Sequence, residues 1–220
     1  MAQSFTEAAV LLFANRANQE AAGPMEAYMK NQFPFLGVKT PLRRELSKRL
    51  YREQGIPENW ETVVRELWAL PEREYQYVAL DLLEKVKKRF AAEHVGLAEE
   101  LITGKSWWDT VDYLASHMVG TLFRLNPALI GDNNERWLEG ANLWLQRTTL
   151  LFQLSYKEKT DEELLFKNIR FCAASKEFFI QKAIGWSLRE YAKTNPEAVR
   201  HFVEMTPLAG LSRREALKHF

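Results

Sequence analysis

The chain has 220 residues, of which 46% are hydrophobic, 12% aromatic and 27% charged, with a formal net charge of +1. Such a length and apolar content support a sizeable core and exclude a disordered chain. The near-neutral balance neither requires nor excludes a polyanionic partner, so only a clustering of the 30 Lys and Arg would point to one.

From the N-terminus, Met1-Ala2-Gln3-Ser4-Phe5-Thr6-Glu7 has no basic stretch followed by an apolar run, so no signal peptide is expected. No segment reaches the roughly 20 apolar residues of a membrane span. The expectation is a soluble, cytoplasmic protein forming a single domain over residues 1–220. Pro41, Pro57 and Pro71 stand where helices begin, proline suiting the first turn. From Glu72 to Phe90, Tyr75, Val78, Ala79, Leu82, Leu83 and Val86 mark one helical face, with Asp81, Lys85 and Lys88 opposite. His94, His117, His201 and His219 are scattered without ligand spacing, so no metal is expected. No glycine-rich phosphate loop occurs either.

Lys105-Ser106-Trp107-Trp108-Asp109-Thr110-Val111-Asp112 is the most informative stretch. Two adjacent tryptophans on one helix cannot face one core. Ser106 or Asp109 is a candidate cap for a helix beginning near Trp108, and Trp108 and Asp112, four apart, then share a face. The pair sets an aromatic plane beside a carboxylate; the same spacing also fits a packing tryptophan and half of a surface ion pair. Further on, Asn142-Leu143-Trp144-Leu145-Gln146-Arg147 carries an arginine suited to holding a phosphate bidentately. Asp161 caps Glu162-Glu163-Leu164. Cys172, the one cysteine, lies in an apolar run and reads as a buried thiol. In Gly185-Trp186-Ser187-Leu188-Arg189 the glycine leaves room for close approach of another group. Asn195-Pro196-Glu197 is a cap followed by proline at the first helical position.

About a dozen helices and no strands are expected, with a weak internal repeat. Trp144 to Leu151 resembles Phe179 to Trp186, 35 residues later; Gln76 stands two periods before Gln146, and Leu211 to Leu217 is a shorter last copy. Stacked repeats would align Gln146, Arg147, Gln181, Lys182, Arg213 and Arg214 as a polar stripe suited to a duplex backbone, with Glu61, Glu66, Asp161, Glu162 and Glu163 on the outer layer. Individually solvated side chains account for the same pattern.

The dispersed stretches Tyr28-Met29-Lys30-Asn31, Phe35-Leu36-Gly37 with Thr40-Pro41, Arg65 to Trp68, Leu70 to Glu74, Lys105 to Asp112, Trp144 to Arg147, Ser175 to Trp186, Leu188 to Pro196 and Ser212 to Ala216 resemble the AlkD-type HEAT-like-repeat alkylpurine DNA glycosylases. The resemblance implies an all-α fold: HEAT-like helix pairs in a curved, right-handed α-solenoid with a basic concave face for duplex DNA. It implies hydrolysis of the N-glycosidic bond of N3- and N7-alkylated purines, without metal or other cofactor and without flipping the lesion into a pocket. It implies catalytic roles for Asp112, Trp108 and Trp186, a phosphate contact at Arg147 and a DNA contact at Tyr28. The remaining expected DNA contacts are Lys39, Lys182, Arg189, Arg213 and Arg214, in a monomer. Lys39 departs from the pattern, standing where the family has glutamine. The alternatives are a non-catalytic HEAT-like scaffold and an inactive binder of distorted DNA; a buried Asp112 ion pair would favour the scaffold.

Overall fold

The structure, a computed structural model, describes residues 3–218. Those residues are all-helical and include no strand, and the chain divides at Arg89/Phe90 into two compact units. This is the expected fold class, with the pairing of successive helices consistent with HEAT-like repeats.

The first unit contains α1 (Phe5–Ala14), α2 (Gln19–Tyr28), α3 (Thr40–Gln54), α4 (Trp60–Ala69) and α5 (Arg73–Val86). Helix α1 packs on α3, and α4 on α5. The apolar face read from the sequence of α5 is all buried, as are Phe13, Leu46, Leu50, Val64 and Leu67 of the same unit, and Tyr75 meets Phe13 with ring centroids 6.3 Å apart. Removing such faces from water is the main stabilising term for helices this short. Two boundaries differ from expectation. Helix α5 ends at Val86 and tightens into a 3₁₀ turn over Lys87–Arg89. Pro57 does not open a helix, because the chain turns at Glu58-Asn59 before α4 begins.

The second unit contains α6 (Val95–Thr103), α7 (Trp108–Tyr113), a π-helical segment (Leu114–Val119), α8 (Gly120–Leu125), α9 (Ile130–Glu139), α10 (Leu143–Leu151), α11 (Glu162–Cys172), α12 (Phe178–Tyr191), α13 (Pro196–Met205) and α14 (Gly210–Ala216). Asp161 and Asn195 cap α11 and α13 as expected, accepting from the backbone N–H of Leu164 and Ala198 at 3.0 and 3.2 Å. Cys172 is buried among Leu165, Ile169, Ile180 and Ile184; burial pushes its thiol up to about 11, so it stays protonated and inert.

The 35-residue repeat has a structural meaning the sequence did not disclose. The amides of Gln76, Gln146 and Gln181 each donate to the carbonyl six residues back: Leu70 at 2.8 Å, Gly140 at 2.9 Å and Ser175 at 3.0 Å. Gln76 also reaches Leu67 and Trp68, and Gln146 reaches Leu138. These glutamines satisfy carbonyls at and beyond the end of the preceding helix, groups left without intrahelical partners. The expectation that Gln146 and Gln181 belong to a DNA-facing stripe is therefore corrected: both amides are spent on backbone.

Candidate active site

Gln146 and Gln181 are each followed by a residue of the site. One step after the 35-residue positions 76, 111, 146 and 181 stand Tyr77, Asp112, Arg147 and Lys182. The last three line one cavity of the second unit, about 250 Å³, together with Trp108, Phe178, Phe179, Trp186, Arg189 and Glu215.

Helix α7 begins at Trp108, which parts the two tryptophans. Trp107 turns to a cluster with Trp144 and Phe179, ring centroids 5.8 and 5.1 Å away, while Trp108 lines the cavity. Ser106 does not cap α7: its hydroxyl donates 2.6 Å back to Ile102 at the end of α6. No side chain caps α7 at its N-cap, Trp107.

Asp112 lies one turn after Trp108, its side chain 15% exposed and open to the cavity. Arg147, 4% exposed, holds it bidentately: Nε donates to Oδ1 at 2.7 Å and Nη2 to Oδ2 at 2.9 Å. Nη1 donates to the Phe179 carbonyl, and the guanidinium carbon lies 5.9 Å from the Phe179 ring centre. Three of the five guanidinium N–H groups are thus committed within the protein. Arg147 braces the carboxylate in this structure, a role additional to the phosphate contact expected of it. Burial pushes the Asp112 carboxyl above its ordinary value; the Arg147 hydrogen bonds and charge oppose that shift, and Asp109 adds to it.

Helix α12 supplies the opposite wall with Phe178, Lys182, Trp186 and Arg189. At Gly185 an added Cβ would fall 2.3 Å from Cβ of Glu215 and 2.9 Å from the Ser212 carbonyl. The close approach expected there is that of α14, and no side chain fits between the two helices. Glu215 of α14 joins Lys182 Nζ at 2.9 Å and Arg189 Nη1 at 2.7 Å, and its carbonyl takes a second Arg189 bond at 3.1 Å. Hydrogen bonds from Lys182 and Arg189 hold the Glu215 carboxyl at about 2. Lys182 and Arg189 therefore carry an internal counter-anion, which the sequence did not foretell. Glu215 and Phe178 both went unread. A signal existed for Phe178, which opens α12 two 35-residue periods after Trp108 opens α7.

Of the other expected contacts, Arg213 is exposed but donates to the Val203 carbonyl at 3.0 Å, so it serves α13. Arg214 is exposed. In the first unit, Tyr28 is 68% exposed and lines a separate cavity with Lys39, Phe35, Arg43 and Tyr77. Lys39 is the N-cap of α3, with no side-chain cap bond. The loop before it is pinned by the fully buried Glu74, which accepts from the backbone N–H of Leu36, Gly37 and Val38 at 2.9–3.0 Å. The expected acids are dispersed: Glu162 accepts from Tyr191 and Asn195, and Glu61 faces Arg65 at 3.8 Å.

Among the described residues, no group of three or more His, Cys, Asp or Glu side chains is placed to hold a metal ion. No helix among them is long and apolar enough to cross a membrane.

The family described as DNA alkylation repair enzyme matches residues 10–220. The chain is similar in structure to a solved protein described as a predicted DNA alkylation repair enzyme from Enterococcus faecalis, with a TM-score of 0.85 and 39% identity, covering 93% of this chain and 96% of that one. No curated protein matches the sequence.

Proposed function

Because the chain belongs to the DNA alkylation repair enzyme family, we propose that it is a monofunctional glycosylase hydrolysing the N-glycosidic bond of cationic N3- or N7-alkylated purines in duplex DNA. The observation that carries this reading is Asp112, a carboxylate braced by Arg147 and open to a cavity walled by Trp108 and Trp186.

Alkylation at N7 of guanine or N3 of adenine makes the purine cationic, so it departs as a neutral base with the electron pair of the C1′–N bond. Leaving-group protonation is not needed, and one carboxylate suffices where ordinary glycosidases use two. Positive charge then builds on the deoxyribose. Ionised Asp112 stabilises that charge, and Arg147 fixes its orientation in advance. Each Asp112 oxygen, although bonded to Arg147, keeps a lone pair with which to orient the attacking water. Water forms the C1′–O bond and passes its proton to Asp112 or to solvent. The indole faces of Trp108 and Trp186 attract the cationic nucleotide, each such contact being worth about 0.5–2 kcal/mol. Lys182 and Arg189, with donors left beyond Glu215, are the proposed phosphate contacts beside the lesion. Tyr28 and Lys39 of the first unit and Arg214 are further proposed DNA contacts, both units serving one activity.

A second reading, a non-catalytic scaffold, draws on one observation, that both Asp112 oxygens are engaged by Arg147. Incubation with methylated duplex DNA separates the two. The glycosylase releases 7-methylguanine or 3-methyladenine and leaves uracil in place; a scaffold binds DNA and releases nothing.

A further inference from the structure

The proposed substrate sets an electrostatic conflict for the site. Its phosphates are anionic and attract cations; its alkylated base, and then its deoxyribose, is positive and is repelled by them. The Asp112–Arg147 pair is neutral as a unit. The other charged residues lining the site cavity are Lys182, Arg189 and Glu215.

Glu215 is built between the two cations. Lys182, Gly185 and Arg189 follow one another at three and four residues, so they share one face of α12. Gly185 stands midway, and α14 lies so close over it that a Cβ there would fall 2.3 Å from the Glu215 Cβ. From that position the carboxylate spans both heads, Oε1 to Lys182 Nζ at 2.9 Å and Oε2 to Arg189 Nη1 at 2.7 Å. It stays ionised throughout the neutral range, held at about 2. Arg189 commits only Nη1 to Glu215, through the carboxylate and the carbonyl, so Nε and Nη2 are left to meet a phosphate.

We propose that Glu215 is a specificity-determining residue: it offsets Lys182 and Arg189 so that they hold a phosphate without repelling the cationic nucleotide beside it. Two cations and one carboxylate leave this group at +1; without Glu215 it would stand at +2. Discrimination is a difference of affinities, and here the counter-charge favours the positive lesion over a neutral nucleotide of the same shape. The base need not enter the cavity, because charges act on one another across several ångströms. A bridge that served only to join α12 to α14 would affect both nucleotides alike.

This inference rests on the glycosylase reading and its cationic lesion, and its test separates the two. Duplex affinity is measured by fluorescence anisotropy for two oligonucleotides of one sequence. One carries 7-methylguanine on a 2′-fluorinated sugar, cationic and held in place because the fluorine disfavours positive charge on the sugar. The other carries 7-methyl-7-deazaguanine, the same shape without the charge. The parent chain should prefer the cationic duplex. In Glu215→Gln that preference falls about tenfold, while the neutral duplex binds more tightly and the slope of log affinity against log salt steepens by about 1. Adding Lys182→Gln to Glu215→Gln returns the group to +1 and recovers the preference. Glu163→Gln, at an exposed acid of α11 outside the cavity, changes the net charge of the chain equally and leaves the preference at the parental value. A preference unmoved in Glu215→Gln, or not recovered in the double variant, overturns the proposal. Should Glu215→Gln fail to fold in thermal melts, Lys182→Gln alone decides: the preference rises, and an unchanged one overturns the proposal. If the preference shifts as expected but no alkylpurine leaves an ordinary methylated duplex, the glycosylase reading alone falls. If alkylpurines are released and the preference does not shift, this inference alone falls.

Discussion

Asp112 stands under opposed influences, and their balance gives a prediction. Burial raises its carboxyl and Arg147 lowers it, with burial the larger. The proposed chemistry needs the ionised form. Excision therefore rises with pH through an inflection above the ordinary carboxylate value, then levels. Arg147→Met removes both lowering contributions, so the inflection moves further up. It also leaves a buried carboxylate without its partner, a loss of about 3–5 kcal/mol in stability. Single-turnover excision across pH, alongside thermal melts, checks both. An inflection unmoved in Arg147→Met contradicts a role for Arg147 in holding the charge.

The elements explain why the site was only partly legible. Trp108 and Asp112 were readable because four-residue spacing fixes a helical face without tertiary knowledge. Arg147 was found, but its partner was not foreseen, because 35 residues separate it from Asp112 and only the stacking of α7 against α10 joins them. Glu215 was missed for the same reason: its partners, Lys182 and Arg189, lie on α12, one α-helix away along the chain, and nothing in its local pattern marks it. The depressed Glu215 carboxyl makes the α12–α14 bridge pH-dependent in a definite direction. A group at about 2 when folded, against an ordinary 4.5, contributes stability that is complete above 4.5 and lost as pH falls towards about 2. Glu215→Gln should therefore melt below the parent chain at neutral pH, with the difference closing in strong acid; a difference constant with pH would show that the bridge adds no stability.

At the scale of the molecule, composition and periodicity sufficed for an all-helical chain, because apolar spacing of three and four reports a buried face directly. They did not reveal that most cations at the site are already paired inside the protein, which a count of Lys and Arg cannot show. The electrostatic footprint on DNA should accordingly be small. Lys182→Ala or Arg189→Ala should weaken duplex binding and reduce the slope of log affinity against log salt by about 1 each. An unchanged slope would place the phosphates elsewhere, with the exposed Arg214 and Lys39 the next cations to test.

The most direct measurement is single-turnover release of 7-methylguanine from duplex DNA by Asp112→Asn. The substitution keeps the side chain's shape and removes the charge proposed to face the sugar. Excision should fall by at least about a hundredfold, a loss of about 2.7 kcal/mol or more of transition-state stabilisation, while duplex affinity stays within about twofold of the parent chain. Excision at the parental rate would contradict the account, since no charge at residue 112 would then be needed.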